Sequence, residues 1–96
     1  MNNLKELHES DKNVSAKAFF KGSEGIGISL QILAGEELKE HVSKTTAMLI
    51  CVKGEAIYET ENGLKVNLKP GDFIEIEAML KHKVLGIADS QLVLIK

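Results

Sequence analysis

Hydrophobic and polar residues alternate over most of the chain after residue 13. The clearest runs are Ile26, Ile28, Leu30 and Ile32, then Leu64, Val66 and Leu68, then Ile74 and Ile76. A period of two is expected for β-strands with one covered face. The pattern predicts roughly eight short strands and no long helix over residues 14–96.

The first 13 residues have a different pattern. Leu4, Leu7 and His8 lie at helical spacing, with little else apolar around them. This spacing predicts either a short helix or a loosely held arm. We therefore divide the chain into an N-terminal arm, residues 1–13, and one β-domain, residues 14–96.

Turn signals separate the predicted strands. Asn62-Gly63 marks a tight hairpin, and Pro70-Gly71 has the residue types that a type II turn requires. An all-β chain of this length must protect its edge strands by closing a barrel, packing two sheets or pairing with a second copy. We expect a compact barrel or jelly roll that forms a homodimer.

Composition limits the classes of partner. The chain has 96 residues, enough for one domain, with a net charge of −2, no arginine and no tryptophan. Phosphate binding and base stacking depend on basic clusters and aromatic side chains, so nucleic acid is not an expected partner. The sequence lacks an apolar segment of the roughly 20 residues that span a bilayer, which argues against a membrane partner. The single Cys51 favours a reduced, cytoplasmic protein.

Two glycine-framed segments resemble the motifs of the cupin family. The first motif has a glycine, then His, His and Glu, then a closing glycine, and the matching positions are Gly35, His41, Ser43, Ala47 and Gly54. The second motif supplies the last metal-binding histidine, and the matching positions are Gly71, Asp72, Glu77, Met79 and His82. The resemblance extends from about residue 25 to the last residue. It implies an all-β, cupin-like double-stranded β-helix, which is a jelly-roll barrel with a short N-terminal arm.

The resemblance also implies a degenerate metal site. In the family, three histidines and a glutamate bind a divalent metal, whereas here those positions are His41, Ser43, Ala47 and His82. A serine hydroxyl is a poor ligand and an alanine is none. Cys51 shares the strand parity of Ala47 but lies roughly 13 Å farther along the strand. We expect no resident cofactor, and the alternative is a divalent transition metal weakly bound by His41 and His82.

Three functions are compatible with this scaffold. The first is a non-catalytic barrel that binds or senses a small molecule, with ligand-binding residues His41, Ser43, Ala47, Leu49 and His82. The second is a metal-dependent enzyme of dioxygenase or isomerase type that uses His41 and His82. The third is a structural or interaction module whose barrel is filled by side chains. The sequence leaves open whether the protein is an enzyme, and it identifies no catalytic residue.

Five further expectations concern other residues of the chain. His8 could assist His41 and His82 only if the arm folded over the barrel mouth. Tyr58 is interpreted as packing in a strand, or alternatively as a hydrogen-bond donor into a pocket. Strand parity predicts that Glu77 faces solvent and that Cys51 is a small buried hydrophobe. The remaining acidic residues of the first motif are expected to be solvated loop charges: Glu36, Glu37 and Glu40.

Overall fold

The computed structural model describes residues 2–96, which form one short 3-10 helix and nine β-strands. The helix spans Leu4–Leu7. The strands are β1 (Val14–Lys21), β2 (Ile26–Ile32), β3 (Glu37–His41), β4 (Ala47–Lys53), β5 (Ala56–Thr60), β6 (Lys65–Leu68), β7 (Phe73–Ile76), β8 (His82–Gly86) and β9 (Ser90–Ile95).

The nine strands form two antiparallel sheets. One sheet has five strands in the order β1-β2-β9-β4-β7, and the other has four in the order β3-β8-β5-β6. Neighbours that are distant in sequence, such as β2 with β9 and β4 with β7, give the crossed connectivity of a jelly roll. The predicted all-β jelly-roll fold is confirmed.

The strand that the sequence did not predict is β3. We expected Glu36, Glu37 and Glu40 to lie in a solvated loop, but Glu37–His41 pairs with β8 at the edge of the four-stranded sheet. Its charged side chains still face solvent, and Lys83 Nζ lies 3.5 Å from Glu37 Oε1. Edge strands rich in charge are common because charge discourages pairing with another chain. The prediction of a loop, which was based on the charged composition of this segment, was therefore wrong for Glu37–His41.

The space between the two sheets is filled by aliphatic side chains and one tyrosine. The buried hydrophobic residues are Leu30, Ile32, Ala47, Leu49, Cys51, Ala56, Tyr58, Leu68, Ile76, Val84 and Leu92. These side chains come from alternate strand positions, as the period of two predicts. Cys51 is fully buried, and burial raises the pKa of its thiol, so the expectation of a small buried hydrophobe is confirmed.

Both predicted turns are present. The amide of Asp72 donates to the carbonyl of Lys69 over 2.8 Å, and Gly71 has a φ of 95°, as a type II turn at Pro70-Gly71 requires. The Asn62-Gly63 segment connects the hairpin of β5 and β6. Within it, the Thr60 amide donates to the Leu64 carbonyl over 3.0 Å.

The N-terminal arm is anchored on the outer face of the five-stranded sheet, the face that points away from the core. His8 is buried there, with Nδ1 2.8 Å from Ser15 Oγ and Nε2 2.9 Å from Ser29 Oγ. Burial and, to a smaller extent, the charge of Lys17 lower the pKa of His8. The short helix is therefore present and the arm is not loosely held.

Two glutamines continue the polar contacts under the arm. Gln31 Nε2 donates to the carbonyls of Glu9 and Lys12 over 2.8 and 3.0 Å. Gln91 Nε2 donates to Gln31 Oε1 over 2.8 Å. These bonds satisfy backbone carbonyls of the arm with side chains of β2 and β9, so the arm is attached at several points.

No helix within residues 2–96 has the length and apolar composition that crossing a membrane would need.

Candidate ligand site at the barrel mouth

His41 and His82 lie side by side at one end of the space between the sheets. They are direct partners across β3 and β8, and their ring centroids are 4.3 Å apart at an interplanar angle of 61°. His82 is 2% exposed, whereas His41 is exposed to solvent. The pair therefore connects the interior to the surface, and we call this end of the jelly roll the barrel mouth.

A β-bulge places His41 on the inner face. Leu38 pairs with Val84, but the next partners are His41 and His82, so three residues of β3 correspond to two of β8. Without the extra residue, Glu40 and not His41 would have the same orientation as Leu38, because side chains alternate along a strand. Because of the bulge, the side chain of His41 points to the same face as that of Leu38, and its imidazole lies next to the imidazole of His82.

The hydrogen bonds of the two rings determine their tautomers. His41 Nδ1 lies 2.8 Å from the carbonyl oxygen of Lys39, and His82 Nδ1 lies 3.1 Å from that of Leu80. A carbonyl oxygen can only accept, so in both rings Nδ1 carries the proton. In the neutral ring Nε2 is then left with a lone pair, which is the arrangement found in histidines that bind metals or accept hydrogen bonds from ligands.

His82 favours its neutral form. Burial lowers its pKa, the hydrogen bond to the Leu80 carbonyl opposes this effect, and the nearby His41 lowers the pKa further. A neutral His82 presents an acceptor and not a positive charge at Nε2. The inner part of the mouth is therefore suited to groups that donate a hydrogen bond.

Tyr58 extends the polar cluster inward. It is buried on β5, and its ring centroid lies 5.5 Å from that of His82. Burial raises the pKa of its phenol, and the charge of Glu77 raises it further. Glu77 is exposed, as parity predicted, but the sequence did not indicate that its charge reaches Tyr58. The inward parity that Tyr58 shares with Ala56 was the available signal for the position of the ring.

Ser43 and Met79 join the two loops that border the mouth. The Met79 amide donates to the Ser43 carbonyl over 2.8 Å, and the Ser43 hydroxyl donates to the Thr45 carbonyl over 2.6 Å. Met79 is the one non-glycine residue among residues 2–96 with a positive φ, 65°, and its side chain is largely exposed. The hydroxyl of Ser43 is thus used within its own loop, and the predicted role of Ser43 in ligand binding stays a prediction.

Ala47 and Leu49 lie deeper, within the core. Ala47 pairs with Ile76, and Leu49 pairs with Ile74 and Leu94. Both are at most 5% exposed and contact other apolar side chains. Of the five predicted ligand-binding residues, the structure brings His41 and His82 together, puts Ser43 at the border and leaves Ala47 and Leu49 behind them.

Four surface cavities, with volumes from about 250 to 520 Å³, lie elsewhere on the molecule. Three are lined mainly by the arm and the strands below it, and one lies at the β1–β2 hairpin. None of these four is lined by a predicted ligand-binding residue. These four cavities therefore do not include the barrel mouth.

The residues at the mouth do not fit a tightly bound catalytic metal. Among residues 2–96, no three side chains of the types His, Cys, Asp or Glu are grouped so that they could hold an ion. Catalytic metals usually have three protein ligands and one open position. The histidine pair supplies two nitrogen donors, and the alanine at position 47 supplies none.

Comparison with known proteins gives the family. The family model described as "Cupin domain" matches residues 29–95, so the chain belongs to the cupin domain family. No curated protein matches the sequence significantly.

Solved structures agree on the fold. A cupin superfamily protein from Desulfitobacterium hafniense DCB-2 is 21% identical, with a TM-score of 0.83 over 97% of this chain and 85% of that one. A conserved protein of unknown function from Streptococcus pyogenes is 18% identical, with a TM-score of 0.81 over 99% and 83%. KdgF from Halomonas sp. is 18% identical, with a TM-score of 0.78 over 92% and 82%. At these identities the likeness shows a shared fold and not a shared activity.

Proposed function

We propose that this cupin is a non-catalytic barrel that binds or senses a small molecule through the histidine pair at its mouth. The observation that carries the proposal is the matched tautomer of His41 and His82. Each ring donates Nδ1–H to a backbone carbonyl, so the neutral form of each ring has its lone pair on Nε2, and the two ring centroids are 4.3 Å apart. Two adjacent acceptors are suited to a ligand with neighbouring hydroxyl or amide donors.

The ligand would approach from solvent and not occupy the interior. His41 is exposed and gives access to the pair, whereas the side chains behind His82 fill the space between the sheets. Burial raises the pKa of Tyr58 above its ordinary value, and the Tyr58 ring lies against His82 on the inner side, with ring centroids 5.5 Å apart.

A metal-dependent dioxygenase or isomerase has less support. Such enzymes need a third protein ligand, and a histidine base is usually oriented by a carboxylate. Here both Nδ1 atoms are bonded to backbone carbonyls. A divalent transition metal weakly bound by His41 and His82 stays a prediction, because neutral Nε2 atoms are also the donors that such ions take.

The experiment is a thermal-shift screen with small polyols, catechols and primary amides as probes, on the wild type, His41→Ala and Glu40→Ala. His41 is exposed, so its removal should leave the fold intact, and Glu40 is the exposed neighbour that serves as the matched control. We expect at least one probe to raise the Tm of the wild type and of Glu40→Ala but not of His41→Ala. A screen in which no probe distinguishes His41→Ala from the wild type would contradict the proposal.

Metal titration provides the second arm of the experiment. Calorimetry with zinc, nickel, copper and iron on the wild type and on a His41→Ala, His82→Ala double variant should detect at most weak binding. Submicromolar binding that disappears in the double variant would replace the proposal with the metal-enzyme alternative.

We also propose that the protein is a cytoplasmic homodimer. A two-sheet molecule of this size has exposed edge strands and an outer sheet face, and pairing with a second copy would cover them. The compartment stays a prediction from the sequence.

A further inference from the structure

The outer face of the five-stranded sheet has a polar half and an apolar half. The polar half lies under the arm and consists of Ser15, Ser29, Gln31 and Gln91, which bond to each other, to His8 or to arm carbonyls. The other half, which we call the apolar patch, consists of Phe19, Phe20, Met48, Ile50, Phe73, Val93 and Ile95. The arm therefore covers the part of the face that needs hydrogen-bond partners.

The pairing register makes the patch continuous. Ile50 pairs with Phe73 on one side and Val93 on the other, and Met48 pairs with Ile95. Phe73 is 67% exposed and Ile95 is 47% exposed, although both belong to strands. The charged residues beside the patch, Lys17 and Glu75, lie on the edge strands β1 and β7. An apolar centre with charge at its border is the usual composition of a protein interface.

A cleft lies at the β1 edge of the patch. Its volume is about 470 Å³, and it is lined by Phe19, Phe20, Ile26, Val93, Ile95 and the backbone of the β1–β2 hairpin. The register of β1 shifts between Ala18 and Phe20, and the ring of Phe19 lies over Gly27, where an added methyl carbon would be 3.3 Å from the ring. The cleft is thus an apolar recess next to a strand edge, and Phe73 projects from the opposite edge of the same sheet.

The exposed area is close to what a stable dimer needs. Taking about 200 Å² for each large side chain, the exposed parts of the patch amount to roughly 500 Å² of apolar surface per copy. Interfaces are on average about 57% apolar, so a patch of this size corresponds to about 900 Å² per partner. A standard specific interface buries about 800 Å² per partner. The apolar patch is therefore large enough to form a stable interface with the same patch of a second copy of this chain.

We propose that two copies pack their apolar patches together about a two-fold axis along β9, and that Phe73 of each copy enters the cleft of the other. β9 is the central strand of the sheet, and β1 and β7 each lie two strands away from it. A two-fold axis along β9 places the β7 edge of one copy over the β1 edge of its partner. This inference rests on the proposed homodimer and adds the surface and the anchoring residue.

The chain contains no tryptophan, so Phe73→Trp creates a single fluorescent reporter. We expect its emission to be blue-shifted at high protein concentration and to shift to the red on dilution, in step with dissociation measured by analytical ultracentrifugation. The control is Leu64→Trp, because Leu64 is 49% exposed on the hairpin of the other sheet. Its emission should stay that of an exposed indole at every concentration.

Phe73→Glu tests the anchor without a reporter. Removing a buried aromatic anchor residue lowers the affinity of an interface at least about 30-fold, and a charge buried in its place lowers the affinity further. In Phe73→Glu we expect the dissociation constant of the dimer to rise at least 30-fold, with an unchanged circular dichroism spectrum. Leu64→Glu is the matched control, and its folding should also be unchanged.

The possible results separate the two proposals. A wild type that is a monomer at all concentrations would overturn the homodimer and this surface together. A wild-type dimer that persists in Phe73→Glu, or in which Trp at position 73 remains solvent-exposed, would overturn this surface alone. Neither result affects the proposed ligand site, which lies on the other sheet.

Discussion

Gly35 and Gly54 frame the first motif, and the structure gives each a different reason to be glycine. Both have a positive φ, 78° and 87°. Around Gly35 there is open space, whereas a methyl carbon at Gly54 would overlap the Asp89 carbonyl oxygen and lie 2.6 Å from Ser90 Oγ. The sequence motif treats the two positions alike, because spacing cannot show how closely another loop approaches.

We predict that Gly54→Ala destabilises the protein more than Gly35→Ala. At position 35 the change costs about 1 kcal/mol, because a left-handed conformation costs an L-residue about 1–2 kcal/mol and alanine restricts the unfolded chain. At position 54 the clash adds about 1–3 kcal/mol, the usual cost of overpacking. Urea unfolding of both variants measures the difference. Equal losses in the free energy of unfolding would mean that the β8–β9 loop moves away freely.

Among the elements, the arm and β3 show the limits of sequence periodicity most clearly. The pattern of Leu4, Leu7 and His8 predicted either a short helix or a loosely held arm, and a short 3-10 helix is present. The pattern could not indicate that His8 would be buried against Ser15 and Ser29, because the serines are ordinary polar residues of their strands until the arm covers them.

The β-bulge in β3 shows that sequence periodicity is limited at the candidate site as well. Motif spacing correctly singled out His41 as a candidate, but alternation along the strand cannot locate an extra residue between Leu38 and His41. The facing pair with His82 depends on that residue. Register therefore had to come from the structure, although the identity of the two histidines came from the sequence.

We predict that His8→Ala releases the arm while leaving the barrel folded. The change leaves the hydroxyls of Ser15 and Ser29 without their ring partner, which costs about 1–3 kcal/mol for buried polar groups. Hydrogen exchange should then accelerate at least tenfold at the arm amides that are bonded in the structure, those of Glu6, His8 and Lys12.

Asn3→Ala is the matched control for the arm. It removes the bond from the Lys5 amide to Asn3 Oδ1, which is exposed and belongs to the helix itself. Exchange at Lys12 should stay slow in this variant. If exchange in His8→Ala is as slow as in the wild type, the glutamine contacts alone hold the arm.

At the scale of the whole molecule, the fold was readable from the sequence and the chemistry was not. Alternation, turns and both glycine frames pointed to one architecture, because each reflects the same burial of one strand face. The histidine pair could be located by motif spacing, but its tautomers depend on carbonyls at Lys39 and Leu80 that no side-chain pattern records. Fold is encoded redundantly here, whereas the site depends on single backbone contacts.

Two of the three histidines make the stability of the whole chain depend on pH. Burial is the main cause that lowers the pKa of both His8 and His82, with smaller contributions from Lys17 and His41 respectively. Since each folded pKa lies below the ordinary value of about 6.5, the unfolded chain binds more protons in that interval. Stability therefore falls as the pH drops through about 6.5 and levels off below the folded pKa values.

We predict a lower free energy of unfolding at pH 5 than at pH 7.5, by at most about 1.4 kcal/mol per pH unit for each histidine. Urea unfolding across this window, which lies above the ordinary carboxyl pKa of about 4, measures the slope. His8→Asn and His82→Asn should each flatten it, and the double variant should remove most of it. A wild type equally stable at both pH values, or a double variant that keeps the full slope, would show that other groups control the acid response of the fold.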